Sequence, residues 1–169
     1  MLATGVRLGE LLAFSGDDVD PVDRLVQVDH HIIRAKGIGL VRVAKRKGNQ
    51  PGLTLRVPEW SLPMLRRRKL ASGGGPLFAS ANGTWLDPSN VIHRIQEAFP
   101  AVGYDWATSH VFRKTVATVL DEADLPLSAI ADQLGNTQNV ADKHYRGRCV
   151  ANKASAEALE GMFGKETGA

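Results

Sequence analysis

The stretch from Ser109 to Tyr145, SHVFRKTVATVLDEADLPLSAIADQLGNTQNVADKHY, constrains the fold more than any other. Its spacing predicts a helix over 108–123 and a second helix begun by Pro126 and stopped by Gly135. A further short helical segment then leads to His144-Tyr145. At 100° per residue, Phe112, Thr115, Val116, Val119 and Ala123 gather on one side of the first helix. His110, Arg113, Lys114 and Ala117 gather on the other. A histidine kept for packing would lie on the apolar side, so His110 and Arg113 are expected together on the face turned away from the core.

Upstream, Thr4 to Phe14 reads as an amphipathic helix with Thr4 as N-cap. Arg7 and Glu10, three apart, meet on one face, either as a surface ion pair or as part of a site. Three extended segments follow, Leu25 to Ile33, Leu40 to Ala44 and Leu53 to Val57, with turns at Lys36-Gly37 and at 48–52. They predict a small three-stranded antiparallel meander. Its second turn carries Lys45, Arg46 and Lys47, which reads as a solvated cationic tip or as a mobile lysine delivered to a phosphate. His30 and His31 end a strand without a spaced acidic or cysteine partner. A helix from Pro58 to Leu70 packs Leu62, Met64 and Leu65, and its run Arg66-Arg67-Arg68-Lys69 suits either the helix dipole or DNA. The Gly73-Gly74-Gly75 run is a loop, since no Lys-Ser or Lys-Thr follows it. Asp87 caps a helix from Pro88 through Phe99, on which His93 is a surface or core residue, and Lys153 to Phe163 reads as a final amphipathic helix. The fold class is therefore α+β, mainly α-helical.

At 169 residues the chain suits one domain, and 43% hydrophobic with 23% charged residues is globular composition. The net charge of +3 tilts it toward an anionic partner. One cysteine, Cys149, excludes an internal disulfide and a cysteine-rich zinc site, and suits a reducing cytoplasm. No apolar run reaches membrane-spanning length, so no membrane partner is expected, and no histidine–carboxylate array has metal-ligand spacing.

A guanidinium beside a histidine, with a phenol downstream, fits attack on a phosphodiester. The phenol displaces the leaving oxygen, guanidiniums clamp the transition-state oxygens in bidentate fashion, and a lysine or histidine protonates the leaving group. Tyr145 follows the His-x-x-Arg helix, whereas the other tyrosine, Tyr104, precedes it.

Taken together, these motifs resemble the catalytic domain of the tyrosine recombinase (phage integrase) family. Thr4-Gly5-Val6-Arg7-Leu8-Gly9-Glu10 matches its Thr-Gly-x-Arg-x-x-Glu, His110 and Arg113 match its His-x-x-Arg, and Leu134-Gly135-Asn136 matches its Leu-Gly-His. Tyr145 lies nine residues beyond Asn136, at the spacing of the family's nucleophile. The resemblance implies the DNA breaking-rejoining fold and site-specific recombination without cofactor through a 3′-phosphotyrosine. It implies that Arg7 and Arg113 hold the scissile phosphate, that Lys47, or else Lys45, protonates the leaving 5′ oxygen, and that His110 assists deprotonation of Tyr145. Glu10 would orient Arg7, and Lys45, Arg46, Lys114, Arg66 and Arg67 would lie along DNA. Double-stranded DNA and further protomers, as a tetramer, are the implied partners, in a bacterial cytoplasm at the nucleoid. Asn136 departs from the pattern: its amide can donate a hydrogen bond but cannot serve as an acid, and cleavage is expected to be impaired, with His144 a partial substitute. The opening in mid-pattern reads as a single catalytic domain, 1–169, lacking its first helices and a separate DNA-binding domain. Alternatives are a type IB topoisomerase, a non-catalytic DNA-binding remnant of a mobile element, and, ranked last, a plain helix-turn-helix regulator.

Overall fold

The computed structural model describes residues 1–136 except 47 and 49. In chain order these form α1 (Leu8–Leu11), β1 (Val19–Asp20), β2 (Leu25–Val28), β3 (His31–Ala35), β4 (Gly39–Val43), β5 (Leu53–Arg56), α2 (Leu62–Ser72), α3 (Pro88–Ala98), α4 (Ser109–Glu122) and α5 (Leu127–Leu134). Short 3-10 turns precede α2 at Glu59–Ser61 and follow α3 at Pro100–Val102.

Alternation in the β-branched segments decides the first core. Val26 and Val28 point to one face of β2, and Val19 and Leu55 lie opposite Val26 on β1 and β5. These side chains are buried together with Val6, Phe14, Leu77 and, from α2, Leu62 and Leu65. Each is worth about 1.5–3 kcal/mol of burial, which anchors the N-terminal segment carrying Val6 to the sheet. A second cluster joins Leu8, Leu12 and Ala13 to Ile32 of β3. In a third, Ala117 of α4 packs with Ile130 and Leu134 of α5.

The expected meander is not what forms. The segment Leu25 to Ile33 breaks at Asp29-His30 into β2 and β3, which belong to different sheets. The three-stranded antiparallel sheet has the order β1-β2-β5, and β3 pairs with β4 as a separate hairpin. A strand as short as β1 leaves too little alternation to read. The first helix is also shorter than expected, a single turn. Gly5 adopts φ 72° and Arg7 is extended, so Arg7 rather than Thr4 stands at the N-cap position. The α3, α4 and α5 expectations hold closely: Asp87 accepts from the Ser89 amide, Pro88 opens α3, and Gly135 ends α5 with φ 61°.

The face assignment on α4 is corrected. Arg113 and Ala117, placed by periodicity away from the core, are each only 1% exposed, whereas Val119 is 55% exposed. The line through Arg113 and Ala117 is covered by α5 and by the segment at Gly5, where backbone carbonyls accept hydrogen bonds from Arg113. A hydrophobic-pattern argument counts arginine as outward-facing and cannot anticipate that arrangement.

Candidate active site

Four parts of the chain meet at one cleft: α1 with the segment leading into it, the start of β3, the start of α3 and the start of α4. Arg7, Glu10, His31, Ser109, His110 and Arg113 line it, with apolar walls from Leu8, Ile32 and Pro88, and its volume is about 300 Å³.

Arg113 is the keystone of this region. Its Nη1 donates to the carbonyl of Gly5 at 2.6 Å and its Nη2 to that of Leu134 at 2.8 Å. These bonds join the loop before Arg7 to the end of α5. The Gln133 amide adds a third tie, donating to the Thr4 carbonyl at 3.0 Å. Gly5 needs its positive φ to aim that carbonyl, and a Cβ there would lie 2.6 Å from Leu134 Cδ2.

Arg7 is held from two sides. Glu10, fully buried, accepts from the Arg7 backbone amide at 3.1 Å through Oε2 and from Arg7 Nη1 at 3.2 Å through Oε1. Asn136 Oδ1 accepts from Arg7 Nη2 at 2.9 Å. Arg7 keeps 26% of its side chain exposed, in contrast to Arg113. Of the two readings that the Arg7–Glu10 spacing left open, the exposed ion pair is not what forms: the carboxylate is buried and bonded to Arg7 through both oxygens, an arrangement compatible with the orienting role that the resemblance implies.

His110 is exposed at the first turn of α4 and lines the cleft beside Arg113. Lys114 is exposed one residue beyond Arg113. The hairpin turn behaves differently from expectation. Arg46, placed along DNA by its position in a basic turn, is 2% exposed: its Nε lies 3.3 Å from Glu10 Oε1 and its Nη2 donates to the Gly135 carbonyl at 3.5 Å. A buried carboxylate captures it, which a run of three cations does not disclose. Lys45 is exposed, and its carbonyl is bonded by the His31 ring at Nδ1. His31 drew notice in the sequence only for its lack of a metal-ligand partner and was not placed in the site, since its position in the cleft depends on how β3 folds back beside α1. Arg66 and Arg67 are exposed on α2 but do not line the cleft. The Lys69 ammonium donates to the carbonyls of Gly16 and Val19, so the last cation of that run is a structural clip. Lys47, His144 and Tyr145, with the final helix expected over 153–163, lie outside the described residues.

Among the described residues, no group of three or more His, Cys, Asp and Glu side chains is arranged to hold a metal ion. None of their helices is long and apolar enough to cross a membrane.

The family model described as the phage integrase family matches residues 1–147. The chain belongs to that family. A tyrosine recombinase XerC-like protein of Caldanaerobacter subterraneus subsp. tengcongensis is 26% identical to this integrase-family chain, over 95% of the chain and 47% of that relative. The integrase of Staphylococcus phage L54a is 25% identical over 79% of the chain and 41% of its own length. The chain therefore spans about half the length of the curated relatives it matches. Among solved structures, the Tn1549 transposon integrase in complex with transposon right end DNA superposes with a TM-score of 0.79 at 20% identity, covering 96% of this chain and 56% of that one. The XerA recombinase does so with a TM-score of 0.66 at 20% identity, over 95% and 54%. The fold of this integrase-family chain is the tyrosine recombinase catalytic fold, α+β with small antiparallel sheets.

Proposed function

We propose that this chain is the catalytic part of a site-specific DNA recombinase or integrase that cleaves and rejoins strands through Tyr145. The observation that carries the reading is the convergence of Arg7, His110 and Arg113 on one cleft, with Glu10 buried behind Arg7. Two guanidiniums beside an imidazole suit a phosphodiester whose non-bridging oxygens gain charge in the transition state.

In this mechanism the Tyr145 oxygen forms a bond to phosphorus as the bond to the 5′ oxygen breaks, leaving a 3′-phosphotyrosine. His110 takes the phenolic proton, and Lys47, or Lys45 in its place, gives a proton to the departing 5′ oxygen. Arg7 and Arg113 hold the phosphate throughout. Rejoining is the reverse, with the 5′ hydroxyl of another strand as nucleophile. The partners are double-stranded DNA and further protomers, four of which would assemble on two duplexes, in the cytoplasm of a bacterial cell.

A second reading, a DNA-binding remnant without catalysis, is favoured by Asn136, which stands where the family has a histidine. One experiment separates them. A nicked duplex pool from the surrounding genomic sequence is incubated with the chain, with a version extended by the preceding coding sequence, and with Tyr145→Phe in each. A covalent protein–DNA band that vanishes in Tyr145→Phe supports the recombinase. DNA binding by both lengths without any band supports the remnant.

A further inference from the structure

Glu10 is a buried carboxylate flanked by two guanidiniums. Oε1 lies 3.2 Å from Arg7 Nη1 and 3.3 Å from Arg46 Nε. Only Arg7 reaches the cleft; Arg46 is not among the residues lining it. Charge counting then assigns the two cations different work. If Arg7 alone faced Glu10, the pair would be neutral, and a phosphate approaching Arg7 would meet the carboxylate's repulsion in a poorly screened interior. With Arg46 present, the buried negative charge is balanced from behind, and the positive charge of Arg7 remains directed at the cleft.

Arg46 also reaches the residue beside Arg7's second partner. Its donation to the Gly135 carbonyl holds the residue immediately before Asn136, whose Oδ1 accepts from Arg7 Nη2. The approach is close enough that a Cβ on Gly135 would lie 2.3 Å from the Arg46 guanidinium nitrogens. The residue is thus packed against the helix end rather than loosely attracted to it. Arg46 is carried by a hairpin turn closed by its own bridge to Gln50, so the turn supplies a cation from outside the Arg-x-x-Glu motif.

We propose that Arg46 is a positioning residue: by neutralising Glu10 and holding Gly135, it keeps the Arg7 guanidinium placed and charged for a phosphate. The inference rests on the reading of Arg7 as a phosphate clamp, and assigns that clamp a third member that never touches the ligand.

Inorganic phosphate is the probe, titrated into the chain and followed by phosphorus NMR line broadening, with circular dichroism melting as the check of folding. Arg46→Gln is expected to weaken phosphate about tenfold, whereas Arg46→Lys, which retains the charge, weakens it by less than about threefold. The deciding variant is Arg46→Gln combined with Glu10→Gln. Removing both charges leaves Arg7 unopposed and still able to bond the glutamine oxygen, so phosphate affinity recovers to within about threefold of the parent. If Arg46 were only a packing residue, the double variant would bind no better than the single one, and that result overturns the proposal. So does unchanged affinity in Arg46→Gln. Should that variant unfold, the lysine and double variants decide alone by the same ordering. Arg7→Ala separates the two levels of the reading. If it binds phosphate as the parent does, or the parent binds none, the clamp itself fails and the proposal falls with it. If Arg7→Ala loses phosphate and Arg46→Gln does not, only the role of Arg46 fails.

Discussion

Asn136 accepts a hydrogen bond from Arg7 across 129 residues of sequence, its Oδ1 lying 2.9 Å from Arg7 Nη2. The amide therefore orients the candidate phosphate clamp, while its own Nδ2 is buried without a hydrogen-bond partner among the described residues. An amide cannot exchange a proton with the reaction. Asn136→His, at neutral pH, is expected to raise covalent adduct formation on the nicked duplex by at least about tenfold, because an imidazole can both donate to a phosphate oxygen and shuttle a proton. Single-turnover gels at matched protein concentration read the change. Equal rates would mean that the proton-transfer capacity of this position is not used.

Arg113 is as much a structural residue as a candidate catalytic one. Truncation to alanine strands the carbonyls of Gly5 and Leu134 in a buried site and opens a cavity. Arg113→Ala should lose about 3 kcal/mol of stability, measured by urea unfolding, so its loss of activity alone would say little about chemistry. Arg113→Lys is expected to recover part of the stability but not the two-pronged carbonyl contact.

Gly135 adopts φ 61° at the end of α5 and lies against the Arg46 guanidinium. Gly135→Ala should destabilise the chain by about 2 kcal/mol, from left-handed strain together with displacement of Arg46. Thermal melting checks the magnitude. The same variant should also weaken inorganic phosphate, whereas an alanine at Gly83, which has open space around it, should not.

His30 and Asp87 give stability a pH dependence of the same sign in separate windows. Burial, followed by the nearby Arg42 charge, holds His30 below its ordinary value of 6.5. The folded state disfavours its protonated form, so its contribution is complete above about 6.5 and is lost as pH falls through the lowered folded value. The side chain of Arg34, then the Ser89 amide at the start of α3, holds Asp87 below 3.8. That contribution is present above the ordinary carboxylate value and is lost at still lower pH. Urea midpoints should therefore fall in two stages on acidification, with His30→Gln removing the upper stage and Asp87→Asn reducing the lower, in which Asp20, held below 3.8 by the Asp23 and Val22 amides, also titrates.

Local rules reached far along this chain. Asp87-Pro88, Pro126 and Gly135 marked their helix ends because capping chemistry is confined to a few neighbouring residues. The Arg7, His110 and Arg113 set was legible by spacing and by resemblance, and those three residues do line one cleft. Long-range pairing was not legible. Nothing in Leu25 to Ile33 says that β2 pairs with β5 while β3 turns to β4, because both strands have acceptable alternation and the partner choice depends on the tertiary core. The burial of Arg46 and Arg113 escaped for a related reason: a charged side chain inside a protein is determined by the acceptors that wait for it, and those acceptors lie 89 and 108 residues away in the Gly135 and Gly5 carbonyls.

The clasp between Gly5 and Arg113 also sets a schedule. During synthesis the ribosome releases the segment bearing Arg7 more than a hundred residues before its partner on α4, and Asn136 later still. Contacts so distant along the chain form late and cost loop-closure entropy before they return any stability. A nascent or interrupted polypeptide therefore carries Arg7 and Glu10 without the α4 and α5 partners that close the candidate site around them.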